Sequence, residues 1–263
     1  MIDIHTHLLP GVDDGARTAE QSLEVLRRFA AAGVRCVVCT PHLVASEAAV
    51  VPLERYREKF AALAPLAPEG LVLQRGWEIM LDRPGVDLTA PTLALGASRA
   101  VLVEFPRGPL PSGTADELAR IRRSGVIPVV AHPERYGGAS VRLVREWRAA
   151  GAVLQTDTAY LLGSGDRAQL AKELLGEGLI DVLASDNHGD ARSLFAARTW
   201  LTELGAVDAA RLLTDVNPGA LLSDQVLVPV PPVRLDEGTF GRLRQLLRRL
   251  TPLSTPVIPE RPS

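Results

Sequence analysis

MIDIHTHLLPGVDDG, residues 1–15, decides how the rest of the chain reads. Its first five residues, MIDIH, are a short apolar run that stops on a histidine. That is the shape of a buried strand with a chemically active side chain at its C-terminal end. Comparable runs follow in VRCVVCT (34–40), LVLQRGWEI (71–79), RAVLVEF (99–105), IPVVAH (127–132), AVLQTD (152–157) and IDVLASD (180–186). All are short, apolar and rich in β-branched residues, as parallel strands buried on both faces are. Helical stretches lie between most of them. One opens at Thr18 with Gln21 three residues on, a capping-box signal, carries Leu23, Leu26 and Ala30 at helical spacing, and stops at Gly33. Another opens at Thr114 with Glu117 and stops near Gly125; others cover 53–64, 140–150, 166–177 and 191–204. Strands alternating with helices fit either a (β/α) barrel or a doubly wound open sheet. The strand ends separate the two. His5, Glu78, Glu104, His132, Asp157 and Asp186 each lie at or beside a strand's C-terminal end. Polar groups at that edge of many strands mark the active site of a barrel, whereas an open sheet gathers them at one crevice. The reading is an α/β barrel.

The 263 residues suffice for one large domain with a tail. Lys and Arg number 29 and Asp and Glu 31, a formal charge of −2, so nucleic acid is not expected as a partner. No apolar run is long enough to span a bilayer, and the start of the chain lacks a basic segment followed by an apolar one. Neither a transmembrane segment nor a secretory signal is expected, and the cytoplasm is the expected compartment. Cys36 and Cys39 form a C-x-x-C, but inside a strand-like run where positions i and i+3 face opposite ways. They read as core rather than as a redox pair.

After about residue 225 the character changes. VLVPVPPVRLDEG (226–238) is proline-rich and reads as a strap or linker. TFGRLRQLLRRL (239–250) reads as a short amphipathic helix, with Phe240, Leu243, Leu247 and Leu250 on one face and arginines on the other. It is expected either to pack on the barrel wall or to make a peripheral contact with a partner or an anionic membrane surface. The last residues, TPLSTPVIPERPS, are expected to be disordered. The expected division is residues 1–225 as the main domain and 226–263 as a C-terminal extension.

The five histidines, His5, His7, His42, His132 and His188, sit in DIHTHLLPGVDDG, CTPHL, VAHPER and ASDNHGD. His5 and His7 are two apart, so on a strand they share a face and can hold one metal together. Asp186-x-His188 repeats that spacing. With Asp14, Glu78 and Glu104 they form a cluster of imidazoles and carboxylates at one barrel mouth. Mixed nitrogen and oxygen donors suit Zn, Mn or Fe. One such histidine alone would read as an ordinary buried side chain. A whole set of them beside carboxylates reads as a metal site, because unmetallated carboxylates that close repel and stay poorly solvated.

HTH at 5–7, TPH at 40–42, the Glu of GWE at 76–78, HPER at 132–135 and SDNH at 185–188 resemble the motifs of the PHP (polymerase and histidinol phosphatase) superfamily. IDIHTHLLPGVDDGA, VCTPH, LVEFP and VAHPERY are more similar still to its bacterial tyrosine phosphatases linked to capsule and exopolysaccharide synthesis. The resemblance spans roughly residues 1–225. It implies a distorted (β/α)7 barrel of the PHP type carrying three divalent metal ions, expected to be Mn, with Fe or Zn as alternatives. His5, His7, Glu78 and Asp186 would hold the first. Glu78, Glu104 and His132 would hold the second, with Glu78 bridging. Asp14, His42 and His188 would hold the third; the family pattern favours Asp14 over Asp13. Arg135 would grip the phosphate as a forked donor. Arg192 is the nearest match to a second phosphate arginine, at a spacing one residue shorter than the pattern. Leu43 and Val44 replace the His and Asn that often follow TPH, and QTDTAY (155–160) replaces a run of small hydroxyl residues.

The implied activity is hydrolysis of protein phosphotyrosine by attack of a metal-bridging hydroxide. The implied partner is a phosphotyrosine-bearing protein, a cognate tyrosine autokinase of polysaccharide synthesis. His42 or His188 could assist the leaving oxygen. The thiolate route needs Cys, five residues, then Arg; the sixth residue after Cys36 is His42 and after Cys39 is Ala45, so that route is absent. The alternative is a PHP phosphatase for a small molecule such as histidinol phosphate. A nuclease is disfavoured by the charge balance, and a purely structural metal module by the presence of Arg135.

Overall fold

The computed structural model describes residues 1–50 and 53–235. Its strands fall within or beside the predicted apolar runs: β1 Ile2–Thr6, β2 Cys36–Cys39, β3 His42–Val44, β4 Val72–Arg75, β5 Glu78–Met80, β6 Ala100–Glu104, β7 Ile127–Ala131, β8 Val153–Asp157 and β9 Val182–Ala184. Every pairing between them is parallel. They form a three-stranded sheet, β1-β2-β4, and a six-stranded sheet, β3-β5-β6-β7-β8-β9.

The run 71–79, expected as one strand, is two, and the strand at His42 was not expected at all. The cause is a break in the ladder between neighbouring chain segments. Pro41 has no N–H to give between β2 and β3. Opposite it, the Tyr56 hydroxyl lies 3.1 Å from the carbonyls of Cys39 and Gly76 and accepts from the Gly76 N–H at 3.2 Å. Glycine at 76 lets the segments close up there, since a Cβ would come within 2.6 Å of Leu95 Cδ2 and push that side chain aside. The chain thus crosses from one sheet to the other at two adjacent places. At the far side the sheets meet again. Asp186 N–H donates to His5 C=O at 3.0 Å, His7 N–H to Asn187 C=O at 2.8 Å, and Ser185 N–H to Asp3 Oδ1 at 3.1 Å.

Alternate strand residues feed two apolar clusters, as burial on both faces requires. Ile4, Val38, Leu102, Val129 and Val182 belong to one, and Val37, Val103, Val130, Leu154 and Leu183 to the other. Cys36 and Cys39 fall in different clusters, both reduced and buried.

Helix α1, Ala19–Ala31, is capped by Thr18, whose side chain accepts from Gln21 N–H at 3.2 Å, and buries Val25, Leu26 and Phe29. The later helices are α2 Leu53–Leu63, α3 Thr114–Arg123, α4 Val141–Ala149, α5 Thr158–Leu161, α6 Asp166–Gly176, α7 Leu194–Glu203, α8 Val207–Arg211 and α9 Asn217–Leu222. The expected cap at Thr114 is not made. Gly113 occupies the cap position at φ 74°, and the Thr114 hydroxyl instead accepts from Trp147 Nε1 at 2.9 Å. A buried indole N–H with no other acceptor outweighs a local cap.

Residues 226–235 have no helix or strand but lie against the body. Asn217 exchanges two 2.9 Å hydrogen bonds with the Val228 backbone, Val233 N–H donates to Leu175 C=O at 3.2 Å, and Val230 and Val233 are buried. A chain cut after Leu222 therefore loses two buried valines and both Asn217–Val228 hydrogen bonds, leaving Asn217 its bond to the Asp181 carbonyl at 3.0 Å. The expected cost is on the order of 3 kcal/mol, a fall in Tm of roughly 6–12 °C, read by calorimetry. An unchanged Tm would show that this segment contributes nothing. The expected amphipathic helix over 239–250 and the final residues lie outside the described residues.

Candidate metal centre

Parallel strands send all their C-terminal ends the same way, and the nine sequence-selected residues gather there. His5 lies on β1 and His7 just beyond it; Glu78 opens β5 and Glu104 closes β6. His132 and Asp186 follow β7 and β9 in left-handed backbone, at φ 36° and 47°. Neither is glycine, so both positions are strained, which only surrounding contacts can hold.

The tightest group is His5, His7, Glu78 and Asp186. His5 Nε2 and His7 Nε2 are 3.1 Å apart. Glu78 Oε2 lies 3.3 Å from each, and so does Asp186 Oδ1. Each of those separations is close to the spacing, about 3.3 Å, of two donors on one cation with bonds near 2.0 Å, and His5, His7 and Asp186 offer donor atoms that all lie within 4.8 Å of one another. Glu78 Oε2 and Asp186 Oδ1 are buried and accept no hydrogen bond, an arrangement that a cation resolves. Glu78 Oε1 faces His132 Nε2 at 2.7 Å, and Glu104 Oε2 lies 3.9 Å from the same nitrogen. A more open group holds Asp14, whose Oδ1 is 3.2 Å from His42 Nε2 and 3.4 Å from His188 Nε2. His42 also joins the neighbouring group, its Nδ1 standing 3.0 Å from Glu78 Oε2 and 3.7 Å from Glu104 Oε1. His42 thus spans two of the expected sites instead of serving one.

The outer nitrogens fix which face each ring presents. His7 Nδ1 donates to Asp13 Oδ2 at 2.7 Å, His5 Nδ1 to Gln155 Oε1 at 2.9 Å, and His188 Nδ1 to the Asp186 carbonyl at 2.9 Å. Each leaves Nε2 aimed into the cluster, as ligating imidazoles are arranged. Asp13 and Asp14 are thereby separated: Asp13 is nearly buried and orients His7, while Asp14 is exposed beside His42 and His188.

The charge balance points the same way. Burial opposes the charged form of His5, but Glu78 and Asp186 outweigh it and push the imidazole up to about 9. Burial also works against the Glu78 and Asp186 carboxylates, yet the facing imidazoles hold both well below the usual carboxylate range. Burial and the Glu78 charge raise Glu104. Here protons balance the acids, and divalent cations would displace them.

Arg135 and Arg192 come together on Asp186, with NH1 atoms 3.2 and 3.0 Å from its Oδ2. Both line a cavity of about 210 Å³ shared with Asp14, His42, His188 and Tyr160. The short spacing at Arg192 is therefore no obstacle to reaching the pocket. A larger cavity of about 500 Å³ opens on its flank, with Trp77, Tyr56, Leu43, Val44 and Met80 as apolar walls.

The sequence reading placed Asp157 at the active edge without a part in the metal set, and gave no role to Gln155, Glu134 or Arg107. Gln155 Nε2 donates to Asp157 Oδ1 at 2.9 Å, and the Asp157 N–H to Glu134 Oε1 at 2.9 Å, so a buried polar chain runs back from His5. The available signal was a glutamine inside the apolar run AVLQTD. Arg107 sits in a loop, where no periodicity marks it.

The family profile for capsular polysaccharide synthesis, CpsB/CapC, matches residues 1–223. The tyrosine-protein phosphatase CpsB of Streptococcus pneumoniae is 30% identical over 247 residues, 86% of this chain and 100% of that protein. The tyrosine-protein phosphatase YwqE of Bacillus subtilis is 30% identical over 250 residues, 88% of this chain and 95% of that one. A crystal structure from work on YwqE and the Streptococcus pneumoniae CpsB, described as unique metal-dependent tyrosine phosphatases, superposes with a TM-score of 0.69 at 26% identity. It covers 90% of this chain and 100% of its own.

Proposed function

We propose, from the premise that this chain belongs to the CpsB/CapC family of capsular polysaccharide synthesis, that it is a metal-dependent protein-tyrosine phosphatase. The observation that carries the reading is one shared carboxylate. Asp186 turns Oδ1 to the His5–His7 nitrogens and Oδ2 to Arg135 and Arg192, so a cation site and a phosphate clamp adjoin.

In this reading the two sheets together form a distorted barrel of seven lines, with β2–β3 and β4–β5 each counted as one. The cluster would hold three divalent cations, Mn in the first instance. His5, His7, Glu78 and Asp186 would hold one; Glu78, Glu104 and His132 a second; Asp14, His42 and His188 a third. Cations held there would supply an activated water for attack on phosphorus and would neutralise the phosphoryl oxygens. Arg135 and Arg192 orient those oxygens and stabilise the charge they gain. His42 and His188, partly exposed, border the rim of the mouth where water would bring a proton to the leaving phenolate. The apolar cavity beside them suits an aryl ring. The natural substrate is a phosphotyrosine-bearing protein, a cognate autokinase of polysaccharide synthesis, in the cytoplasm. Among the described residues no helix is long and apolar enough to cross a membrane.

Steady-state kinetics on a phosphotyrosyl peptide, free phosphotyrosine and histidinol phosphate tests the substrate class. The expected order of kcat/KM is peptide first and histidinol phosphate last; histidinol phosphate first would make this a small-molecule phosphatase.

The cysteines take no part. Burial pushes the Cys36 thiol up to about 11 and Cys39 to about 12, so neither is a thiolate near neutral pH. Cys36→Ala and Cys39→Ala are expected to keep turnover within about threefold of the parent, since each removes one buried sulfur outside the ligand set. Abolished activity in a folded variant would bring back a thiol mechanism.

A further inference from the structure

We propose that the cavity of about 460 Å³ beside the metal-ligand cluster, walled by Arg107, Arg135 and Arg167, is an anion subsite. It takes an acidic side chain of the substrate segment, close in sequence to the phosphotyrosine. The inference rests on the phosphotyrosine reading and adds to it a preference that the metal site cannot supply.

The charge lining this cavity is one-sided. Its carboxylate is Glu104, whose oxygens face inward to His42 at 3.7 Å and His132 at 3.9 Å. Arg135 is engaged with Asp186. Arg107 and Arg167 have no carboxylate partner among the described residues. Arg167 donates to the Tyr160 hydroxyl at 3.2 Å and stacks on that ring at 5.7 Å, which positions the guanidinium without neutralising it. Some arginines elsewhere are paired, as Arg120 is with Glu117 and Arg148 with Asp181, and others such as Arg55 and Arg75 are not, among the described residues; what sets Arg107 and Arg167 apart is that both line one cavity together with Arg135. Two unneutralised guanidiniums in one concavity form a receptor for a carboxylate, which a planar fork binds in two-point fashion.

The walls are held in place. Phe105 N–H donates to the Tyr136 hydroxyl at 3.1 Å, and Pro109 pairs with Gly137 in an isolated parallel bridge. A Cβ on Gly137 would touch the Gly108 carbonyl at 3.5 Å. The loop bearing Arg107 is thus tied to the loop that follows Arg135, while Arg167 projects from the first turn of α6. Arg107 also lines the phosphate cavity and the apolar one, so the subsite opens directly onto the reaction centre. A residue one or two positions from the phosphotyrosine lies roughly 3.5–7 Å along an extended chain, within reach of such a neighbour.

The test compares two phosphotyrosyl peptides that differ only in having Asp and Glu, or Asn and Gln, around the phosphotyrosine. Both kcat/KM and affinity by fluorescence anisotropy are measured on the full-length metal-loaded protein. The acidic peptide is expected to be favoured roughly three- to tenfold, chiefly through KM, as partly exposed charge-assisted contacts allow. In Arg107→Ala/Arg167→Ala that ratio should fall to near one, and in Arg107→Glu/Arg167→Glu it should invert. Because the ratio is taken within each protein, a general loss of activity cancels. Equal handling of the two peptides by the parent chain, or an unchanged ratio in the double variants, overturns the subsite while leaving the phosphatase reading intact. If neither peptide is hydrolysed but the acidic one still binds tighter through Arg107 and Arg167, the subsite stands and the phosphatase reading falls.

Discussion

Glu78→Gln is expected to lose bound metal and to lower phosphotyrosyl hydrolysis on the order of 10³-fold or more, a larger loss than removing one neutral donor produces. Glu78 is 1% exposed, and its two oxygens face His132, His42, His5 and His7 at 2.7–3.3 Å. No other acid in the cluster faces four imidazoles. An amide at 78 removes the charge that two of the proposed cations share, and its NH₂ would point a donor at nitrogens that must also face a metal. His5, pushed up to about 9 partly by Glu78, would lose part of the reason for its charge. The check is metal content by elemental analysis alongside kcat, with circular dichroism to verify the fold. Full metal occupancy and normal turnover in a folded Glu78→Gln would remove Glu78 from the bridging position.

Arg135→Ala should keep its metals and fold yet lose about 100- to 1000-fold in kcat/KM, equivalent to ~2.7–4 kcal/mol of transition-state stabilisation. The residue closes a short 3-10 turn, Pro133–Arg135, in which its N–H returns to the His132 carbonyl at 2.9 Å. Pro133 stiffens that turn. The guanidinium is held over the mouth by Asp186 at 3.2 Å and Asp157 at 3.9 Å. A plain surface ion pair is worth at most about 1 kcal/mol and has no bearing on turnover, so the readings separate by rate. Arg135→Lys should fall between, since an ammonium cannot reproduce the fork. A peptide turnover in Arg135→Ala within about threefold of the parent would assign the clamp elsewhere, Arg192 being next in line.

The residues at the mouth were legible because each follows an apolar run that reads as a strand by itself. Parallel strands then deliver their ends to one edge, so sequence position translated directly into spatial convergence for His5, Glu78, Glu104, His132 and Asp186. What stayed hidden depends on partners distant in sequence. The break at Gly76 needs Tyr56 and Leu95 as neighbours. The failed cap at Thr114 needs Trp147. The double engagement of His42 follows from the pairing of β3 with β5, which places it opposite Glu78. Spacing alone does not separate Asp13 from Asp14; the structure does, with Asp13 nearly buried against His7 and Asp14 exposed between His42 and His188. Arg107 and Arg167 belong to a loop and a helix start, where no hydrophobic period marks a side chain as facing a cavity.

The most direct measurement is phosphate release from a phosphotyrosyl peptide by the purified full-length chain, taken as isolated, after chelation, and after return of Mn, Zn or Fe. The account predicts turnover as isolated, loss on chelation, recovery with at least one of the divalent ions, and metal bound in a ratio above one per chain. Undiminished turnover by a chelated, metal-free protein would contradict it.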